Sequence, residues 1–490
     1  MAPRSGKTPV WPAGPPGKED RASYAEAEPR PFWLDRERPE PFDPLEGKAG
    51  ADLVVVGGGL TGLWAAIRAK EQDPGRAVTL IEKDTLAEGA SGRNGGFMSS
   101  SLVHGLGNGL SRFPEEMATL EKLGLENLEA IGESIDRYGI DCDLEKNGAI
   151  ETAMNDSQFE ALAGEADEFA RFGHEAVLLD REAMQAEVAS PLFTGGLWQK
   201  TGEWAVDPVK LCDGLARAAA DLGVVIFENT GMTGLRKTQA GVDVLTSGGS
   251  IAAGKALLAT AAFSSPVRAV SSRVIPVYDY VLVSEPLDDA QKKAIGWDNR
   301  QGLSDSANRF HYYRQTADGR ILWGGYDAIY NFGGKVDPRH YQRDRSFAGL
   351  AQRFHAAFPQ LRGIRFTHRW GGAIDTCSRF FAFYGLTHGG RVSYAVGHTG
   401  LGVGASRFAA GVALELLESE GDPASRRDPA RAGVLDLQYV RERPIPFPPE
   451  PVRWPVIQFT RNRIAAADMN GGRDGFWLRT LSRLGLGFDS

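Results

Sequence analysis

Cysteine is scarce: three in 490 residues, Cys142, Cys212 and Cys377, all far apart. They form no C-x-x-C pair, which excludes the usual thiolate metal and iron–sulfur patterns, and an odd number of scattered thiols fits a reducing compartment better than a disulfide framework. Long apolar runs are also missing. No stretch approaches the roughly 18 residues of a membrane-spanning helix, and the N-terminus carries charge and proline where a secretory signal needs an apolar segment. A cytoplasmic protein with no transmembrane segment is expected. Positive charge is in deficit, with 55 Lys and Arg against 63 Asp and Glu and a net charge of −8. That balance argues against nucleic acid as a partner and is compatible with a cationic one.

What is abundant is glycine. Sixty glycines are about 12% of the chain, against an average near ~7%. They follow no period, so collagen is excluded; they gather in short loops, where backbone can closely approach another group. Length predicts two to four domain-sized units and a sizeable core.

Residues 1–50 hold ten of the 27 prolines and read as an extended arm, with Pro31-Phe32-Trp33-Leu34 as its apolar docking cluster. A second proline-dense segment, from Pro444, opens a tail. The body opens with Ala51–Gly57, a β-branched run predicted to be a buried strand, followed by a helix over Leu60–Glu71 and a strand over Ala77–Glu82. Periodicity predicts helices over 115–138, 158–171 and 207–222, the last after the cap Asp207-Pro208. A strand-rich stretch covers 274–285, 308–314 and 320–326.

Gly57-Gly58-Gly59-Leu60-Thr61-Gly62 is G-x-G-x-x-G between a predicted strand and a predicted helix. Gly57 permits the turn, Gly59 lets backbone approach a pyrophosphate and Gly62 lets the helix pack closely. Free N–H groups at the helix start favour phosphate. Glu82 ends the second strand, where an acid binds ribose hydroxyls and disfavours NADP; it could also be an ordinary strand-end acid. Glu88-Gly-Ala-Ser-Gly-Arg-Asn-Gly-Gly96 follows as a second glycine loop.

These segments resemble the FAD-dependent D-amino-acid oxidase superfamily, especially its glycine/sarcosine oxidase, γ-glutamylputrescine oxidase-like and aminophosphonate oxidoreductase-like branches. The resemblance runs from Ala51 to Glu418 and includes Gly202–Leu211, Glu228–Met232, Arg369–Asp375 and Val396–Val403. It implies an α/β fold, a Rossmann-type FAD-binding domain interleaved with a mixed-sheet α+β substrate domain. The FAD domain would take 51–110, 200–270 and 370–420, the substrate domain 111–199 and 271–369, and the tail 421–490. It implies FAD, held without a covalent bond, by Gly57, Gly59, Leu60, Thr61, Gly62, Glu82, Lys83, Ala90, Ser91, Gly92, Arg93, Asn94, Gly95, Gly96, Met232, Thr260, Gly372, Gly397, Gly400, Leu401, Gly402 and Val403. The helix over Ala405–Leu417 would point its N-terminus at the flavin. Arg93 could equally be a loop contact.

The implied reaction is oxidation of a C–N bond in a small amine or amino acid, with hydride transfer to flavin N5 and hydrolysis of the imine. The electron acceptor would be oxygen or a quinone or dye. Departures from the pattern are informative. Ala373 stands where sarcosine-oxidase relatives attach flavin through cysteine, Gly404 where they have a carboxylate-binding lysine, and Trp323 where they have an oxygen-activating lysine. The expected substrate-site residues are His104, Tyr280, Arg314, Trp323 and His398. Tyr278, His311, Tyr312, Tyr313 and Tyr326 alternate on the same strands, so about half face the flavin and the rest pack. Arg314 could hold a carboxylate or phosphonate, or a neighbouring glutamate. The rivals are a flavin hydroxylase, an NAD-dependent dehydrogenase and a non-catalytic scaffold. In the tail, Trp477, Leu478, Leu481 and Leu484 make an apolar stripe beside Arg479 and Arg483, expected on the protein body rather than on an anionic membrane.

Overall fold

The computed structural model describes residues 11–12, 14–263, 265–419, 433–468 and 475–483; Leu484 of the expected stripe lies outside them. The β-branched opening of the body forms the strand Gly47–Val56, four residues longer at its start than the apolar run alone indicates. It is central to an eight-stranded sheet. Val78–Ile81 and then Val225–Phe227 lie in parallel on one side, with Gly249–Leu258, Val392–Val396 and the antiparallel Phe383–Thr387 on the other. The first strand is wholly buried over its last four residues. The helices Leu60–Gln72 and Gly402–Ser419 pack on one face of the sheet and on each other.

A second, nine-stranded mixed sheet contains Ile275–Ser284, Ile321–Gly325, His311–Gln315, Gly302–Asp305, Ala149–Ala153, Gly195–Gln199 and Ala176–Leu179 in that spatial order. Ile329–Tyr330 and the eleven-residue Phe366–Thr376 pair with Ile275–Ser284. The helix Asp344–Ala357 covers its far face with a core containing Trp323, Phe347 and Phe354. The helix Met117–Arg137, expected with the substrate sheet, instead packs against Gly402–Ser419, because its buried Leu120, Leu128 and Ile131 belong to the core of the first sheet.

The N-terminal arm is stitched to the body. Trp33 is buried and donates its indole N–H to the Asn94 carbonyl at 2.8 Å. Arg36 pairs with Asp207 at 2.5 Å, where Asp207 also caps the helix Pro208–Asp221. The proline-dense tail leads into the helices Arg453–Asp468 and Phe476–Arg483, which pack together, Trp477 donating to Thr460 Oγ1 at 3.0 Å. Among the described residues no helix is long and apolar enough to cross a membrane.

Candidate active site

A cavity of about 820 Å³ runs between the two sheets, within the range of sites that enclose a small molecule or cofactor. Its first wall is the glycine turn. Gly57 has φ +115°, and a Cβ there would lie 2.4 Å from the Ala259 carbonyl oxygen. Gly62 does not line the cavity: a Cβ would lie 1.8 Å from the Gly57 oxygen, so its task is to let the helix close onto its own turn. Ser91 Oγ accepts the Leu60 N–H at 3.0 Å, and a Cβ on Gly59 would come 2.7 Å from that hydroxyl. The second loop thus sits directly over the helix N-terminus, where exposed N–H groups and the dipole favour an anion.

The Glu82 carboxylate accepts N–H groups from Gly58 at 2.7 Å and Asp84 at 3.0 Å, and burial raises its pKa. Each oxygen keeps a lone pair for a hydroxyl donor. Lys83 is paired with Asp84 at 2.6 Å and lies over Phe263. Thr260 Oγ1, in the cavity wall, is buried and has no hydrogen-bond partner among the described residues. A buried hydroxyl left unpaired is costly, so this atom and the glycine cradle fit a polar, phosphate-bearing group such as FAD.

Of the expected cofactor residues, Gly57, Gly59, Leu60, Thr61, Glu82, Lys83, Ala90, Ser91, Arg93, Asn94, Gly95, Met232, Thr260, Gly372, Gly400, Leu401, Gly402 and Val403 line this cavity. Gly62, Gly92, Gly96 and Gly397 do not; each is packed on neighbouring backbone or side chains, as with Gly96 against the Val206 carbonyl. Arg93 is clipped to Glu88 at 2.5 Å and stacks on Tyr341, and Asn94 bonds back to Ala90, Ser91 and Gly96, so both hold the loop as well as line it.

His398 and His104 are both in the wall. Asp375 accepts the N–H groups of Gly397 and His398 and faces His398 Nδ1 at 3.3 Å, while His398 Nε2 lies 3.4 Å from Thr61 Oγ1. His398 therefore ties together the starts of the two long helices. His104 sits at φ +62°, edge-on to Phe380, and burial lowers its pKa, leaving it neutral.

The other three expected substrate residues face away. Tyr280 packs on Phe347 and donates to the His340 carbonyl at 2.9 Å. Trp323 lies in the far-side core, 4.4 Å from the Tyr313 ring. Arg314 is buried, donating to the Gly96 and Val206 carbonyls at 3.1 and 2.8 Å. Strand alternation is the reason: Tyr278 and Tyr280 share the far face, so Val277, Asp279 and Val281 meet the cavity. Likewise Tyr312 and Tyr326 line it, and His311 and Tyr313 do not. Gly324, not Trp323, faces Tyr312, and Gly404 lies against the Ser99 carbonyl with no room for a side chain.

Two groups escaped the sequence reading. Asp279 lines the cavity, and its Oδ2 accepts the Tyr312 hydroxyl at 2.6 Å. Burial pushes its pKa up to about 7 against the pull of Tyr312 and the Tyr280 and Gly325 amides. Its signal was a lone charge within the apolar run Ile275-Pro-Val-Tyr-Asp-Tyr-Val-Leu-Val-Ser. The tail supplies the second group: Ile457, Thr460, Arg461, Ile464 and Leu481 roof the cavity. Arg461 donates to Gln458 Oε1 at 2.9 Å and makes no ion pair among the described residues. Cys377 also borders the cavity, its thiol bonded to the Phe381 carbonyl and raised in pKa by burial.

Comparison with known proteins agrees with this geometry. The FAD dependent oxidoreductase family model matches residues 52–416. The chain is similar to gamma-glutamylputrescine oxidoreductase of Escherichia coli, 32% identical over 78% of this chain and 87% of that protein. It is also similar to the probable oxidoreductase OrdL of Haemophilus influenzae, 27% identical over 81% and 90%. Among solved structures, L-proline dehydrogenase from P. horikoshii shares the fold at a TM-score of 0.62 and 19% identity, covering 79% of this chain and 98% of that one. Glycine oxidase from Geobacillus kaustophilus does so at 0.61 and 20%, covering 76% and 95%. With its glycine cradle, second loop and late helix around one cavity, the chain belongs to the FAD dependent oxidoreductase family.

Proposed function

We propose that the chain oxidises the C–N bond of a small amine carrying an acidic group, an amino acid in the broad sense, with Asp279 holding the nitrogen. The observation that carries this reading is the Asp279–Tyr312 pair on the cavity wall. Ionised Asp279 attracts a substrate ammonium in a low-dielectric cavity and can take its proton, leaving the neutral amine that oxidation requires. Tyr312 holds the carboxylate in place, and Ile457, Ile464 and Leu481 in the roof exclude water. Bound FAD supplies the two-electron acceptor, and the resulting imine hydrolyses in water. The relative named gamma-glutamylputrescine oxidoreductase supports an amine of this kind.

Arg461 supports the acidic group on the substrate, since a guanidinium with no ion pair among the described residues suits a carboxylate or a phosphonate. That second reading, an aminophosphonate, shares the same residue, whereas Arg314 is turned away from the cavity. Anaerobic bleaching of the flavin against amines, amino acids and aminophosphonates tests both. Bleaching by simple amines alone, unchanged in Arg461→Met, would remove the acidic group from the proposal.

FAD is held without a covalent bond. Ala373 offers no attachment atom, and the Cys377 thiol is kept protonated by burial. Acid precipitation is expected to leave the yellow colour in the supernatant; colour in the pellet would make Cys377 the first attachment point to test. The three buried thiols, all free, support a reducing cytoplasmic setting.

The physiological acceptor is a quinone or dye-like molecule rather than oxygen. Superoxide formation places negative charge in a dry cavity and needs a cation beside it. Lys83 and Arg93 are each neutralised by an acid, His104 is neutral, and Arg461, without an ion pair among the described residues, is engaged by the acidic group of the substrate. Stopped-flow mixing of reduced enzyme with oxygen is expected to show reoxidation no faster than that of free reduced flavin. A much faster rate would overturn this and make Arg461 the cation to remove.

A further inference from the structure

The helix Arg453–Asp468 carries apolar side chains both toward the cavity and toward solvent. Ile457 and Ile464 line the cavity and Val456 borders it, while Val452, just before the helix, and Phe459 are exposed at seven-residue spacing on the outside. Exposed aromatic and aliphatic side chains gathered in one segment mark an interaction surface. Trp454 and Phe476 are exposed as well; Phe476 is 79% and Phe459 47% exposed. Six of the eleven exposed large hydrophobic residues described in the chain fall between Ile445 and Phe476.

Charge indicates what covers this face. Residues 451–490 hold six arginines against three aspartates, in a chain of net charge −8. Two of the arginines, Arg463 and Arg479, are exposed on these helices, and Arg463 lies 5.4 Å over the Phe459 ring. Aromatic and aliphatic side chains bordered by arginine are the pattern of a helix lying in the boundary between lipid headgroups and acyl chains.

We propose that this helix pair docks the enzyme peripherally on an anionic lipid bilayer, with the roof of the flavin cavity against the membrane surface. The proposal is independent of which amine is oxidised; it places the cavity roof where a lipid-soluble electron acceptor can arrive. Flavin-loaded, full-length protein is expected to sediment with phosphatidylglycerol-containing vesicles and not with pure phosphatidylcholine vesicles. Binding should weaken as NaCl is raised, because screening weakens the arginine attraction. Phe459→Ser/Phe476→Ser and, separately, Arg463→Glu/Arg479→Glu should each reduce partitioning at least tenfold with flavin content unchanged. The arginine pair keeps the test valid if the phenylalanine pair folds poorly. Absence of binding to anionic vesicles, or wild-type binding by the arginine variant, would overturn the proposal. So would a dimer in light scattering that Phe459→Ser/Phe476→Ser dissociates, since the face would then belong to a second copy.

Discussion

Gly62→Val is expected to purify as a folded but colourless protein. A Cβ at this position would lie 1.8 Å from the Gly57 carbonyl oxygen, and backbone cannot rotate aside as a side chain can. The helix Leu60–Gln72 must therefore lift off the strand Gly47–Val56, carrying with it the N–H groups under Ser91. Overpacking of this kind costs about 1–3 kcal/mol, and more where backbone is the obstacle. A loss of about 3 kcal/mol in flavin affinity is roughly a hundredfold. Gly59→Ala should be milder, because its Cβ meets only the Ser91 hydroxyl at 2.7 Å, which can turn away. The ratio of absorbance at 450 nm to that at 280 nm, with circular dichroism as the check on folding, ranks the two. Full colour in Gly62→Val would show that this turn does not hold the cofactor.

Asp279→Asn should retain flavin and lose most of its activity. The variant keeps the shape of the side chain and its bond to Tyr312 but not the charge that holds an ammonium. A hydrogen bond to a charged group is worth about 1.5–3 kcal/mol, so kcat/KM is expected to fall by roughly ten- to a hundredfold. The pH profile carries the sharper signature. Burial raises Asp279 to about 7, so in the free enzyme the carboxylate is protonated below that pH and ionised above it. Wild-type kcat/KM should rise with pH through about 7, and Asp279→Asn should lack that limb. Tyr312→Phe removes a bond that favours the ionised form and should move the limb upward. An unchanged limb in Asp279→Asn would assign it to another group and leave Asp279 a structural acid.

The chemistry of the cofactor segments was legible because it is local. A strand, a glycine turn and a helix start are adjacent in the chain, so Gly57, Gly59 and Gly62 could be given distinct tasks from spacing alone. Gly62 then proved to pack on the turn, outside the cavity wall. Asp207-Pro208 likewise announced its helix, and Trp33 and Leu34 did dock the arm.

The substrate side was decided by tertiary structure. Ile275–Ser284 is apolar on both faces because a helix covers one and the cavity the other, so its sequence does not say which face is which. Reading the tyrosines as the cavity face inverted the strand and put Tyr280 ahead of Asp279. Trp323 and Arg314 were misplaced for related reasons: one fills a far-side aromatic core, the other spends its donors on two buried carbonyls. The roof was further from reach. Arg461 and Ile464 enter the cavity from a proline-led tail about 180 residues after Asp279, and only the folded chain brings them together. Sequence by itself determined the family, the cofactor and the glycine turns and helix starts that line the cavity, because those depend on backbone conformation between neighbouring residues. The groups that meet the substrate depend on strand parity and on long-range packing, which a one-dimensional pattern does not encode.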